Sequence, residues 1–100
     1  MNSIMEAKLI QKTRRQLREG AFFEIVIWQV PIPLRGSLHT IKYRLALVVE
    51  GTCVLRYDNE AGKGDHKHVG DTEVSYHFEN VDKLLADFMQ DVKGWFDDNA

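Results

Sequence analysis

The sequence predicts an α+β fold: a single antiparallel meander of four to five strands, with a C-terminal helix packed on one face. Three observations predict it. Runs of β-branched and aromatic residues fill 22–30, 38–49 and 52–58, and the last two alternate apolar with polar positions. Glu50-Gly51 separates those two runs as a hairpin turn separates strands. Near the C-terminus, Val81, Leu84, Leu85, Phe88 and Val92 recur at the helical period.

The first element is ambiguous in type. Ser3-Ile4-Met5-Glu6 fits a capping box, and Met5, Leu9, Ile10, Thr13 and Leu17 form a thin helical stripe. Arg18-Glu19-Gly20 also reads as a hairpin turn, which sets Arg14 across from Glu24 and Ile10 across from Trp28. A strand over 7–17 is preferred, because the strand that follows needs a neighbour and a four-stranded sheet is more stable than a three-stranded one. That following strand, 22–30, ends at Pro31, which cannot donate to a ladder. Arg35-Gly36-Ser37 reads as a plain connection rather than a mobile flap.

In the next hairpin, a two-residue turn would place Arg56 across from Leu45 and mix polar with apolar faces. An odd-length loop with Gly51 at positive φ groups Leu45 and Leu47 with Cys53, Leu55 and Tyr57, and is preferred. Residues 75–78 read as a short edge strand. The helix then starts at its cap, Asn80, with Asp82 in the first turn; Gly94 ends its regular part, and Trp95 and Phe96 fold back on the core.

The 100 residues make one domain, and 44% hydrophobic with 28% charged residues exclude a disordered chain. No apolar run approaches the ~18–20 residues that span a bilayer, and the N-terminus has no signal-peptide pattern. The lone Cys53 excludes an internal disulfide and reads as a small buried hydrophobe. Together these point to a cytoplasmic protein without a membrane partner. A net charge of −2 hides an asymmetry. Lys8, Lys12, Arg14, Arg15 and Arg18 crowd the first segment, and Asp82, Asp87, Asp91, Asp97 and Asp98 the last.

Chemistry concentrates in 57–68, which holds two of the four histidines, two glycines and three carboxylates. Three readings compete for it. In the first, His66 and His68 project to the same side of an extended backbone and act as base and acid on a phosphodiester, without a metal. Lys63 and Asp65 complete that catalytic set, while Arg44, Arg56, Tyr57, Asp58, Asn59 and Lys67 bind substrate, the cations on phosphate. In the second, Asp65, His66, His68 and Asp58 hold zinc or manganese, although the spacing matches no zinc-family pattern. In the third, the segment is a solvated loop. On the residues alone all three stay open; the site residues expected here follow the first, with no metal and no cofactor. Gly62-Lys63-Gly64 is not a phosphate-binding P-loop. His39 and His77 read as surface or strand-end residues, and Trp28 and Trp95 as core.

Lys42-Tyr43-Arg44-Leu45-Ala46, Val54-Leu55-Arg56-Tyr57-Asp58-Asn59-Glu60 and Gly62-Lys63-Gly64-Asp65-His66-Lys67-His68 resemble the TumE family of type II toxin–antitoxin proteins. The likeness extends to 24–31 and 81–88, so it spans roughly 7–92. It implies a small toxin encoded beside a helix-turn-helix antitoxin that neutralises it. Arg18-Glu19-Gly20 looks like the family's turn between its first two strands. The expected function is growth inhibition by action on RNA. The alternative is a non-enzymatic module that docks a helix-turn-helix partner. An exposed sheet edge also allows a homo-oligomer.

Overall fold

The computed structural model describes residues 6–99. Most of the expected capping box, Ser3, Ile4 and Met5, lies outside them. Six strands run in order along the chain, each antiparallel to its neighbour: β1 Lys8–Arg18, β2 Ala21–Gln29, β3 Ile41–Val49, β4 Thr52–Asp58, β5 His66–Val69 and β6 Thr72–Ser75. One helix, α1 Val81–Asp98, crosses one face. The first element is therefore a strand. Arg14 does face Glu24, but Ile10 has no partner, because a bulge puts Leu9 opposite Trp28 and Gln11 opposite Ile27.

The core lies between sheet and helix. Phe23, Ile25 and Ile27 of β2, Tyr43, Leu45 and Leu47 of β3, and Leu55 and Tyr57 of β4 pack on Leu84, Phe88 and Val92 of α1. The three helix residues recur every fourth position and so form a single buried stripe. Asn80 caps the helix, its Oδ1 accepting from the Lys83 backbone N–H at 2.8 Å. Gly94 does not end it. A helical glycine costs only about 1 kcal/mol, and continuing the helix lets Trp95 and Phe96 pack on the core. Asn99 closes it instead, with its backbone N–H on the Trp95 and Phe96 carbonyls.

The β3–β4 hairpin reaches the expected facing by another route. Val49 pairs with Thr52, so the turn has two residues, with Glu50 at φ 49° and Gly51 at φ 79°. A register shift then puts Leu47 opposite Leu55 and Val48 opposite Cys53, leaving Val54 as the extra residue. Beyond that bulge Leu45 faces Tyr57, Ala46 faces Arg56 and Arg44 faces Asp58. Before it, Cys53 falls on the Val48 side of the sheet and is exposed, not buried. Trp28 likewise lies opposite Lys42, on the face away from the helix, and is half-buried outside the core.

The last hairpin exceeds the expected strand count. Val69 and Thr72 flank a Gly70-Asp71 turn, and residues 76–78, expected as a strand, run on without ladder pairing to the helix cap. The connections 30–40 and 59–65 are pinned together at one end of the sheet. The Gly62 N–H donates to the Arg35 carbonyl at 2.5 Å. A Cβ on Gly64, whose φ is +73°, would lie 3.2 Å from the Gly36 oxygen. These glycines serve close backbone approach and positive φ.

Candidate functional site

The face of the sheet away from α1 carries two adjacent cross-strand rows, set by the register. Arg44, Asp58, His66 and Ser75 form one, and Ala46, Arg56, His68 and Glu73 the other. Alternation along β5 sends both histidines to this face and Lys67 to the opposite one. Ala46, fully buried, keeps the middle of the second row low.

Over these rows the polar groups converge. His66 Nε2 lies 2.6 Å from Asp58 Oδ1 and 3.4 Å from Glu73 Oε2. His68 Nε2 is also 3.4 Å from Glu73 Oε2. The two imidazoles meet edge to face with centroids 5.0 Å apart. Arg56 Nε stands 3.1 Å from the other Asp58 oxygen, Oδ2. Asp58 and His66 are each 5% exposed, a depth at which polar atoms are normally hydrogen-bonded. Yet Asp58 Oδ1, His66 Nε2, His68 Nε2 and Arg56 Nε are all buried with no aligned hydrogen-bond partner among the described residues. The second nitrogen of His66, Nδ1, is 3.1 Å from the Gly64 carbonyl, which can only accept. Nδ1 therefore carries the hydrogen, and in the neutral ring Nε2 presents a lone pair to the carboxylate oxygen.

A second histidine–carboxylate group lies where Tyr43 reaches the end of the sheet. Asp65 accepts from the Tyr43 hydroxyl at 2.6 Å and from His39 Nε2 at 2.9 Å. His39 Nδ1 in turn accepts the Ile41 backbone N–H at 3.1 Å, which fixes the tautomer that donates to Asp65. The His39 ring stacks on Phe78 with centroids 4.0 Å apart. Burial, then the Asp65 hydrogen bond, pushes the Tyr43 hydroxyl far above the usual phenol range. Every polar atom here has a partner, so the group ties β3 to the 59–65 connection and to the segment before α1.

A comparison with protein families matches residues 3–96 to the family described as Toxin TumE. The chain belongs to the TumE toxin family. No curated protein and no solved structure matched it. No helix among the described residues is long and apolar enough to cross a membrane.

In this TumE-family chain the residues singled out from sequence separate into groups. His66, His68, Asp58 and Arg56 come together, with Arg44 exposed beside Asp58. Lys63 sits on the exposed rim of a depression that Asp65, His66, Glu73, Val74 and Ser75 also line. Asp65 is drawn away to His39 and Tyr43, and no ion pair joins it to His66 or His68. Tyr57 is a core residue whose hydroxyl binds Asp91 of α1. Lys67 pairs with the same Asp91 at 3.0 Å, on the helix side. Asn59 is 2% exposed and clamps β3, donating to the Ile41 carbonyl at 2.7 Å and accepting from the Tyr43 N–H at 2.9 Å. These three hold the scaffold and do not face the histidine pair. Glu73 was missed. A hairpin over 66–75 around Gly70-Asp71 places it opposite His68, so that turn was the signal for it.

Proposed function

We infer that this TumE-family chain inhibits growth by acting on RNA, and that the outer-face group of Asp58, His66, His68 and Glu73 is its reacting centre. The observation that carries the reading is the placement of cations beside that group. Arg44 is exposed in its row and Arg56 pairs with Asp58, while Lys63 lies on the adjacent rim. Guanidinium groups hold phosphate in two-point contacts, and a phosphodiester lying across the rows would meet both the cations and the convergent polar atoms. A helix-turn-helix antitoxin encoded beside the chain would neutralise it in the cytoplasm.

The test is expression without the antitoxin. The parent arrests growth and depletes cellular RNA, whereas His66→Ala and His68→Ala, produced at equal soluble levels, do neither. Arrest that persists in both variants overturns the assignment of the centre.

One observation favours the docking reading as a second role. β1 is an edge strand, unpaired on its outer side among the described residues, with Leu9, Ile10 and Leu17 exposed along it. Such an edge accepts an added strand from an antitoxin or from a second copy. Truncation of the partner segment that pairs with β1 would release the toxin without altering the centre.

A further inference from the structure

We propose that Asp58, His66 and His68 bind a divalent first-row transition-metal ion, with zinc the best match, and that Glu73 completes the site. Asp58 Oδ1, His66 Nε2 and His68 Nε2 lie within 4.8 Å of one another. Ligands that share one ion at about 2.0–2.2 Å each stand at most about 4.4 Å apart, so side-chain shifts of a few tenths of an ångström close the set. The Glu73 carboxylate, 3.4 Å from both imidazole nitrogens and half exposed, occupies the open side and can swing onto the ion or give way to water.

No aligned hydrogen bond among the described residues accounts for this arrangement. Asp58 Oδ1, His66 Nε2 and His68 Nε2 lie within 4.8 Å of one another, and none of them, nor the neighbouring Arg56 Nε, has an aligned hydrogen-bond partner among the described residues. With its Nδ1–H on the Gly64 carbonyl, the neutral His66 ring brings a lone pair to 2.6 Å from a carboxylate oxygen, a repulsive contact that a proton or a metal ion between them relieves. A backbone carbonyl on the far nitrogen is also the usual outer partner of a metal-bound imidazole. Arg56 does not supply the missing charge, because it approaches the other oxygen, Oδ2, from the side. Its Nε, itself without an aligned hydrogen-bond partner, stands 3.1 Å from Oδ2 and leaves Oδ1 to the imidazole of His66.

The donor chemistry narrows the ion. Two imidazoles with one or two carboxylates suit zinc, iron(II), cobalt(II) or manganese(II), and suit magnesium and calcium poorly, since those ions prefer all-oxygen shells. The same geometry bears on the sequence expectation that the histidines are base and acid. In-line displacement at phosphorus needs those two groups on opposite sides of the reacting centre. Here both Nε2 atoms lie 3.4 Å from the same Glu73 oxygen, on one side of any group between them, as two ligands do. The ion would polarise a phosphoryl oxygen or lower the pKa of a bound water, and no separate imidazole acid is required.

This assignment uses the centre proposed above but does not depend on RNA as the substrate, and its test reads metal alone. Purified chain, stripped with chelator, is titrated with cobalt(II) and followed by its visible d–d absorption, then with zinc in competition. The parent takes up stoichiometric cobalt, and zinc displaces it. His68→Ala and Asp58→Asn weaken binding by more than the ~10–100-fold that loss of an outer partner produces. His77→Ala, an exposed control, binds as the parent does. Zinc also raises the melting temperature of the parent and leaves that of His68→Ala unchanged. Absence of cobalt and zinc binding by the folded parent overturns the proposal, whatever the toxicity result. Undiminished binding in folded His68→Ala overturns it as well, by placing the ion elsewhere.

Discussion

Two groups in this small protein pair histidine with carboxylate, and they differ in how fully their hydrogen bonds are satisfied. Around Asp65, every polar atom has a partner: Tyr43 and His39 donate to the carboxylate, and the Ile41 N–H donates to the far nitrogen of His39. Around Asp58, four buried atoms lack aligned partners, although His66 Nε2 stands only 2.6 Å from Asp58 Oδ1. Residue types alone do not separate a structural group from a reactive one. A satisfied group has already spent its interactions on the fold. An unsatisfied buried one carries an energetic cost of about 1–3 kcal/mol per group, and it repays that cost only when something binds.

The largest expected difference is in activity. Replacing His68 by Ala removes growth inhibition, while His39→Phe, which keeps the stack on Phe78, leaves toxicity intact at equal soluble protein level. Loss of toxicity in the second variant at unchanged folding would erase the distinction between the groups.

Stability should move the opposite way. Asp65→Asn strips a charge-assisted acceptor from Tyr43 and His39 and costs about 1–3 kcal/mol, or roughly 4–8 °C of melting temperature per kcal/mol. Asp58→Asn, in protein free of metal, places an amide N–H against the buried, unpaired His66 Nε2 and holds or raises the melting temperature. Equal losses in the two variants, measured by thermal denaturation, would break the comparison.

Gly64→Ala tests what holds the Asp65 side in place. It forces a Cβ into positive-φ backbone and against the Gly36 oxygen, so it should cost about 1–2 kcal/mol. Denaturant unfolding gives the figure, and growth inhibition should survive wherever the chain remains folded.

Titration sharpens the contrast from the helix side. All three tyrosines, Tyr43, Tyr57 and Tyr76, are held well above the usual phenol range by burial first and then by hydrogen bonds to Asp65, Asp91 and Asp87. Raised values in the folded state mean stability that is fully present below pH ~10 and is lost as pH rises beyond it. Tyrosinate absorbance should therefore appear together with unfolding, not before it. The acid counterpart is smaller. Hydrogen bonds from Tyr76 and then Lys83 lower the Asp87 carboxyl, so its contribution is present above pH ~4 and fades as pH falls through its folded value. Asp87→Asn should flatten the acid limb of the stability profile, as read by melting temperature against pH.

Much of the scaffold was legible because its signals are local. Alternation set the strands, the Asn80 cap started the helix, and the facing of Arg44, Arg56 and Asp58 followed from keeping Leu45, Leu55 and Tyr57 on one face. What escaped depends on events no local pattern carries. The extra residue at Val54 is invisible beside a two-residue turn, and it alone moves Cys53 to the exposed face. Packing of Trp95 and Phe96 outweighs the helix-ending tendency of Gly94. In the site, the period-two spacing sent both histidines to one face, but the carboxylate of Asp65, their sequence neighbour, is bonded to His39 and Tyr43, and Glu73 approaches both imidazoles instead. Adjacency in sequence predicted proximity at this point. The register of β5 against β6 decided it.

Growth of cells expressing the parent, His68→Ala or His39→Phe without antitoxin, at matched soluble levels, tests the central distinction most directly. The account predicts arrest by the parent and by His39→Phe, and normal growth with His68→Ala. Arrest by His68→Ala together with normal growth under His39→Phe would contradict it and move the functional centre to Asp65.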